Sequence, residues 1–174
     1  MSFIINKPSE SEYNPYVIMY FNHLPDDGLV LETLEENITR LEAFIYSLPP
    51  EKLNYRYAPG KWSIKEILIH LSDTERVLTY RALRFGRGDG QQLAMFNQEE
   101  YAMSYNEDNR DLKNIFDEFK SVRASTMTLL NSFAEDDFLK SGIVGAFNVS
   151  VRALVYHIAG HELYHLDKIK TLYL

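Results

Sequence analysis

Four long segments in which apolar residues recur every three or four positions constrain this chain more than any other feature of its sequence. Such spacing places the apolar side chains on one face of an α-helix, and that face must be buried against another element. The segments cover residues 29–48, residues 63–86, residues 109–133 and the stretch from residue 151 nearly to the C-terminus. Four amphipathic helices in a chain of 174 residues predict an all-α fold, a four-helix bundle.

Helix-boundary signals flank these segments. Ser63 followed by Glu66 is typical of a capping box, in which each side chain accepts a hydrogen bond from a free backbone N–H group at the helix start. Ser150 is a candidate N-cap for the fourth helix. Pro49 and Pro50 end the first helix, because a proline disfavours helical backbone at the residue before it.

The segments outside the helices are less regular. Residues 86–108 form a long connection between the second and third helices, and connections of this length are commonly crossovers or functional lids. No segment shows convincing strand alternation, although residues 53–57 and 143–149 are compatible with locally extended chain. We expect one domain over residues 1–174, in which residues 1–28 are an N-terminal arm packed on the bundle. Four aromatic residues of the arm are expected to cover a bundle end: Tyr13, Tyr16, Tyr20 and Phe21.

Composition excludes several classes of protein. The chain has no cysteine, which rules out disulfides, thiolate metal ligands and a cysteine nucleophile, and suits a reducing cytoplasm. Its net charge is −7, with no basic cluster, so we expect no binding to nucleic acid. It has neither a signal-peptide pattern at the N-terminus nor an uncharged run near the ~20 residues of a membrane span. We therefore expect a cytoplasmic protein without a membrane partner.

Three of the five histidines lie on the fourth helix, at positions 157, 161 and 165. Taking Ile158 as the centre of the apolar stripe, His165 lies about 20° away, His161 about 60° and His157 about 100°. His161 and His165 are therefore expected to face the core, with His157 at the edge of the stripe. The eight residues from His157 to His165 rise about 12 Å, too far for all three to share one ion with bonds of about 2.0–2.1 Å.

Two buried imidazoles require two compensating interactions. Ordinary hydrogen bonds are one solution, and a single divalent ion that binds both is the other. Residues 161–165 also match H-E-x-x-H, the zinc-protease signature, but the residues after His165 contain no His, Glu or Cys to complete a protease site. The third ligand must come from upstream, where His70 is the best candidate and His23 a weaker one. Three neutral imidazoles would leave a coordination position open, as in catalytic sites.

Two carboxylates are also expected to face the core, Glu162 on the fourth helix and Glu75 on the second. One interpretation is a buried ion pair with an arginine such as Arg81 or Arg84. The other makes Glu162 and Glu75 the catalytic candidates, as acceptors for imidazole N–H groups or as a base.

Two groups of motifs resemble the DinB/YfiT-like superfamily of metal-dependent enzymes. The second helix region contains KWSIKE at 61–66, HLSDTE at 70–75 and YRALRF at 80–85, and the fourth contains AGHELYH at 159–165. The resemblance covers nearly the whole chain. It implies a four-helix bundle with a long connection between helices two and three.

The resemblance also implies a ligand set and a chemistry. It implies one divalent ion (nickel, zinc or iron) on His70, His161 and His165, and a homodimer. Some relatives are S-transferases that act with bacillithiol or mycothiol, and one is a maleylpyruvate isomerase.

Three functional hypotheses follow. The first is a metal-dependent enzyme with a small-molecule substrate, in which the open position takes water for hydrolysis or an external low-molecular-weight thiol for S-transfer. The second is a non-catalytic metal-binding stress-response bundle, closed by a fourth ligand such as Asp73. The third is a metal-free bundle whose histidines are only packed.

Overall fold

The protein is described by a computed structural model over residues 4–174, so the first three residues of the predicted arm and domain lie outside the described part. Within residues 4–174 no helix combines the length and apolar character needed to cross a membrane. The α-helices are α1 (Ile18–Phe21), α2 (Val30–Tyr46), α3 (Ile64–Gly86), α4 (Gln98–Ala102), α5 (Leu112–Leu130) and α6 (Val151–Leu172). The strands are β1 (Ser141–Val144) and β2 (Phe147–Ser150), and short 3-10 turns occur at Glu10–Glu12, Pro15–Val17, Pro50–Lys52, Glu107–Asn109 and Glu135–Leu139.

The four long helices α2, α3, α5 and α6 form a four-helix bundle, which confirms the predicted fold class. Helix α3 packs against both α5 and α6, and α2 packs against the same two helices from the other side. Helices α2 and α3 therefore lie diagonally across the bundle. The predicted helix boundaries agree with the structure to within three residues.

The start of each histidine-bearing helix is set by its N-cap. The Ser63 hydroxyl accepts a hydrogen bond from the Glu66 N–H group at 3.2 Å, and the Glu66 carboxylate accepts one in return from the Ser63 N–H group. Ser150 caps α6 by accepting from the N–H group of Ala153 at 3.1 Å. These caps define where each helix begins.

The β-hairpin is a structural element that the sequence only indicated as extended chain. Residues 141–150 form an antiparallel pair of strands, and Leu93 of the long connection bonds to this hairpin beside Val144. The strands have four residues each, too few for alternation to be recognised in the sequence. Residues 53–57 form a turn at 53–54 followed by irregular chain, without a strand. The hairpin and the long connection together cover one side of α3 and α6.

The apolar core consists of two clusters, one at each end of the bundle. Where the two clusters meet, each of the four long helices has one or two buried side chains that are charged or carry an imidazole or amide group. We call this set the polar layer. Its members are Asn37 on α2, His70 and Glu75 on α3, Arg123 on α5, and His161 and Glu162 on α6.

The N-terminal arm is tied to α6 by an ion pair and a hydrogen bond. The Glu12 carboxylate accepts hydrogen bonds from Nε of Arg152, at 2.7 Å, and from its Nη2. These bonds hold the pKa of Glu12 at about 2, below its ordinary value of 4.5. The Tyr156 hydroxyl donates to the carbonyl oxygen of Ile5 at 2.7 Å.

We expect the stabilisation from Glu12 to disappear in acid. Because its folded-state pKa is lowered, the stabilisation is complete above pH 4.5 and is lost as the pH falls toward about 2. The measurement is the difference in unfolding free energy between the wild type and Glu12→Gln across this range. The ion pair is partly exposed and screened by solvent, so the difference should be small. A difference that grows as the pH falls would contradict the assignment.

Candidate metal centre

Three imidazole nitrogens converge in the polar layer. The Nε2 atom of His161 lies 2.9 Å from Nε2 of His70 and 3.0 Å from Nε2 of His165. The ligand atoms of all three residues lie within 4.8 Å of one another. Since an imidazole nitrogen carries either one proton or one lone pair, Nε2 of His161 cannot satisfy both neighbours by hydrogen bonding. A cation bound by all three nitrogens fits this donor set.

The three histidines are uncharged near neutral pH. Burial lowers the pKa of His70 to about 4 and that of His165 to about 3. Burial, together with the neighbouring His165 and His70, lowers the pKa of His161 well below its ordinary value. Neutral imidazoles have free lone pairs, the form that binds a metal ion. His161 is more buried than His165, the reverse of the order that helix periodicity predicts, because a cleft opens beside His165.

Side chains of α3 and its N-terminal flank hold two of the three rings. Trp62, which immediately precedes the N-cap of α3, packs on His70 with ring centroids 4.6 Å apart. It also stacks on His165 at 6.4 Å. The Thr74 hydroxyl lies 3.4 Å from Nδ1 of His70, at the limit of a hydrogen bond. These contacts orient the His70 ring so that Nε2 points at the other two histidines.

The arm contributes Tyr20 to the same site. Its ring stacks on His157 at 5.0 Å and meets His161 edge-on at 5.1 Å. Tyr20 belongs to the apolar cluster at one end of the bundle, as expected for an arm aromatic, and also contacts two histidines. The backbone of Tyr20 can approach α6 this closely because residue 160 is a glycine. A Cβ atom on Gly160 would lie 2.3 Å from the Tyr20 carbonyl oxygen. Gly160, beside His161 in the sequence, was the signal that could have indicated this contact.

Gly160→Ala is expected to destabilise the protein by about 1–3 kcal/mol, because the added methyl group meets backbone atoms that cannot rotate away. Urea denaturation measures the effect. Gly90→Ala is the matched control, since a Cβ atom there meets nothing within 4 Å. The control should change stability by less than about 0.5 kcal/mol. Equal stability of the two variants would show that the arm does not pack on α6 in this way.

The two core carboxylates share one buried arginine. Arg123 donates from Nε and Nη2 to the two Glu75 oxygens, both at 2.9 Å, and from Nη2 to Oε2 of Glu162 at 2.6 Å. Its Nη1 donates to the carbonyl oxygen of Leu34 at 2.6 Å. The expected partners Arg81 and Arg84 were therefore wrong, although a buried ion pair does form. Nothing in the amphipathic pattern of α5 had singled out Arg123.

The network pairs two carboxylates with one guanidinium, so its charges do not cancel. Burial raises the pKa of Glu162, and Arg123 opposes that rise. One oxygen of Glu162, Oε1, has no hydrogen-bond partner among the described residues. These contacts support a role for both carboxylates in holding α3, α5 and α6 together. Their catalytic role stays a prediction.

Other residues considered as ligands lie outside the histidine group. Asp73 pairs with Arg76 at 3.3 Å. His157 lies in a cleft against Tyr20, and His23 is exposed. Within residues 4–174 no fourth His, Asp or Glu belongs to the group formed by the three histidines.

Two clefts reach the histidines from different sides. The larger has a volume of about 360 Å³ and is lined by residues of the arm, α3, the long connection, the hairpin and α6, including His161. The second has a volume of about 320 Å³ and includes His165, Lys61 and Lys168. Tyr16 and Tyr20 line both clefts. The site therefore has room for one or two small molecules.

The family of the chain follows from a match to the model of the DinB superfamily over residues 33–169. The chain belongs to the DinB superfamily. The match includes all three histidines and both core carboxylates. The resemblance predicted from the motifs on α3 and α6 is thus confirmed.

Relatives of this DinB-superfamily chain are similar over most of its length. A protein of Oceanobacillus iheyensis named "Putative metal-dependent hydrolase" is 26% identical over 143 residues, which cover 80% of this chain and 81% of that protein. YfiT from Bacillus subtilis, described as "a probable metal-dependent hydrolase with an unusual four-helix bundle topology", has a similar structure. Its TM-score is 0.74 at 14% identity, covering 97% of this chain and 91% of YfiT.

A mycothiol-dependent maleylpyruvate isomerase also has a similar structure. Its TM-score is 0.63 at 11% identity, covering 84% of this chain and 61% of the isomerase. At these identities both structural similarities establish the shared fold alone.

Proposed function

We propose that this protein is a metal-dependent hydrolase that acts on a small molecule. The observation that carries the proposal is the convergence of three neutral imidazoles beside a cleft, without a fourth side-chain ligand in the described part of the chain. A group of three histidines leaves coordination positions free, the pattern of catalytic rather than structural metal sites. The name of the Oceanobacillus relative supports the same reaction class.

The residues of this chain have separable tasks in the proposed reaction. His70, His161 and His165 would hold the ion. When bound there, a divalent cation supplies Lewis acidity, which lowers the pKa of a water or thiol and polarises a carbonyl group. Trp62 and Tyr20 restrict solvent around the rings, which strengthens electrostatic interactions within the site. Imidazole ligands suit copper as well as nickel, zinc and iron, and it is the family resemblance that makes nickel, zinc or iron the proposed metals.

A second candidate is thiol-dependent transfer between two small molecules. It is favoured by the two clefts, since hydrolysis needs one organic substrate and S-transfer needs a thiol and an acceptor together. The second cleft contains Lys61 and Lys168, whose charges suit an acidic thiol cofactor. The thiol must be external because the chain has no cysteine.

Activity measured with and without thiol distinguishes the two candidates. Protein loaded separately with zinc, nickel and iron is assayed on ester, lactone and amide substrates, and on an alkylating electrophile with low-molecular-weight thiols. Turnover that needs metal but no thiol indicates hydrolysis, and turnover that needs both indicates transfer. The control is His23→Ala, which removes an exposed histidine outside both clefts. A fully loaded protein that turns over none of these substrates would favour the non-catalytic metal-binding alternative.

Two further properties remain proposals. Family resemblance predicts a homodimer, for which light scattering on the purified protein gives the mass. The cytoplasmic location rests on the absence of cysteine, and cell fractionation tests it.

A further inference from the structure

The larger cleft contains a buried cation that the metal centre does not use. Arg81 lies on α3 and is only 6% exposed. It is eleven residues beyond His70, a rise of about 16 Å along the helix. Both Arg81 and His161 line the cleft, so the cation and the histidine centre are parts of one cavity.

Arg81 lacks an anionic partner within the described residues. Its Nη2 donates to the carbonyl oxygen of Ala94 at 2.8 Å, and its guanidinium lies 5.6 Å from the ring centroid of Phe96. Neither group carries a charge. The other buried arginine, Arg123, has two carboxylate partners. Burial lowers the pKa of Arg81, yet a guanidinium remains charged in proteins, and an unpaired buried charge is costly.

The lining of the cleft that holds Arg81 and His161 is apolar for the greater part, with Glu99 as its carboxylate among the described residues. Leu78 of α3 and Leu154 of α6 line its floor, and the hairpin and the long connection contribute Phe147 and Met95. His157 also lines the cleft, and burial, followed by the charge of Arg81, lowers its pKa. A ligand that fills this cleft would bury an apolar body and have one end at each polar site.

We propose that the cleft binds a small molecule with an apolar body and an anionic group, carboxylate or phosphate, which pairs with Arg81 while the opposite end reaches His161. A guanidinium has five N–H donors in a fork that matches both anions, and Arg81 uses one of them on Ala94. The contact between the opposite end of the ligand and the histidines rests on the proposed function. The recognition of the anion by Arg81 does not require the metal.

The test measures binding of three probes of one length: 4-phenylbutyrate, phenylpropyl phosphate and the neutral 4-phenylbutyramide. Titrations followed by NMR use both metal-free and zinc-loaded protein. Hydrogen bonds between charged groups are each worth enough to change affinity by about 10–100-fold, so wild type should prefer the anions over the amide by that factor. Comparing the carboxylate with the phosphate shows which anion the cleft prefers.

Two substitutions of Arg81 are compared with one at Arg84. Arg81→Met should weaken binding of both anions to the level of the amide, and Arg81→Lys should retain part of the preference. Arg84→Met is the matched control, because Arg84 lies on the same helix, pairs with Asp89 and does not line the cleft. It should bind all probes as the wild type does. Thermal unfolding of each variant verifies that it is folded. The preference of the wild type for the anions over the amide is measured without any variant, so it tests the proposal even if a variant fails to fold.

The outcomes separate this proposal from the proposed function. Arg81-dependent anion binding by metal-free protein supports the anion site even if the loaded protein shows no turnover. Equal affinity for anion and amide in wild type, or no saturable anion binding, would overturn it. Anion binding that needs zinc and persists in Arg81→Met would also overturn it, because the anion would then be bound at the histidines.

Discussion

His161→Ala is expected to remove nearly all bound metal from the protein. His161 is the central residue of the proposed ligand set, since its Nε2 is the atom within 3.0 Å of both other histidine nitrogens. Removing a hydrogen-bond partner of a metal ligand typically costs about 10–100-fold in affinity, and removing the ligand itself should cost more. We expect about one ion per wild-type chain and less than about a tenth of that in the variant. The measurement is plasma mass spectrometry on untagged protein purified without chelator.

His157→Ala is the matched control for metal content. It removes a histidine from the same helix, one turn before His161, that lies outside the three-histidine group. It should retain the wild-type metal content. Metal-free wild type, even after reloading with zinc, nickel and iron, would leave the histidines as packed core residues and would contradict the proposed function.

Arg123→Met is expected to cause the largest loss of stability. The substitution leaves Glu75 and Glu162, each 2% exposed, without their shared cation, and leaves the carbonyl oxygen of Leu34 without its donor. Breaking a buried ion pair on one side typically costs about 3–5 kcal/mol. For a chain of this length, that lowers the melting temperature by roughly 6–20 °C. Calorimetry on wild type and variant under the same metal conditions measures the shift.

Two further variants complete this test: a substitution of a surface arginine, and a triple replacement of the network residues. Arg87→Met removes an exposed arginine whose hydrogen bond goes to Ser132 at 3.2 Å, and should cost less than about 0.5 kcal/mol. Replacing Arg123, Glu75 and Glu162 together by Met, Leu and Leu should recover most of the lost stability, because none of these three positions then carries a buried charge. An Arg123→Met variant as stable as Arg87→Met would show that the network contributes little.

The catalytic prediction for Glu75 and Glu162 has its own readout in a separate variant, Glu162→Gln. If the carboxylates only hold the helices, Glu162→Gln should change turnover in proportion to folded, metal-loaded protein. If one acts as a base, turnover per loaded chain should fall while metal content stays constant.

Much of the candidate site follows from the sequence because it is local to one helix. The caps at Ser63 and Ser150 depend on residues three positions apart, and the spacing of His161 and His165 places both on one face of α6. Helix periodicity likewise predicts that Glu162 is buried. These patterns require only the geometry of a single helix.

What only the tertiary structure decides is which residues meet between helices. His70 and His161 are 91 positions apart, and nothing in either helix specifies that α3 and α6 are neighbours. The same holds for Arg123, whose carboxylate partners are 48 and 39 positions away. The hairpin was too short to recognise, and the placement of Tyr20 against Gly160 depends on the path of the arm. The sequence by itself therefore determined the helices and the burial of Glu75, His161 and Glu162, because those depend on local periodicity. Only packing decided how these residues combine into a candidate metal centre, a buried ion network and a cleft that contains Arg81, because such contacts join segments far apart in the chain.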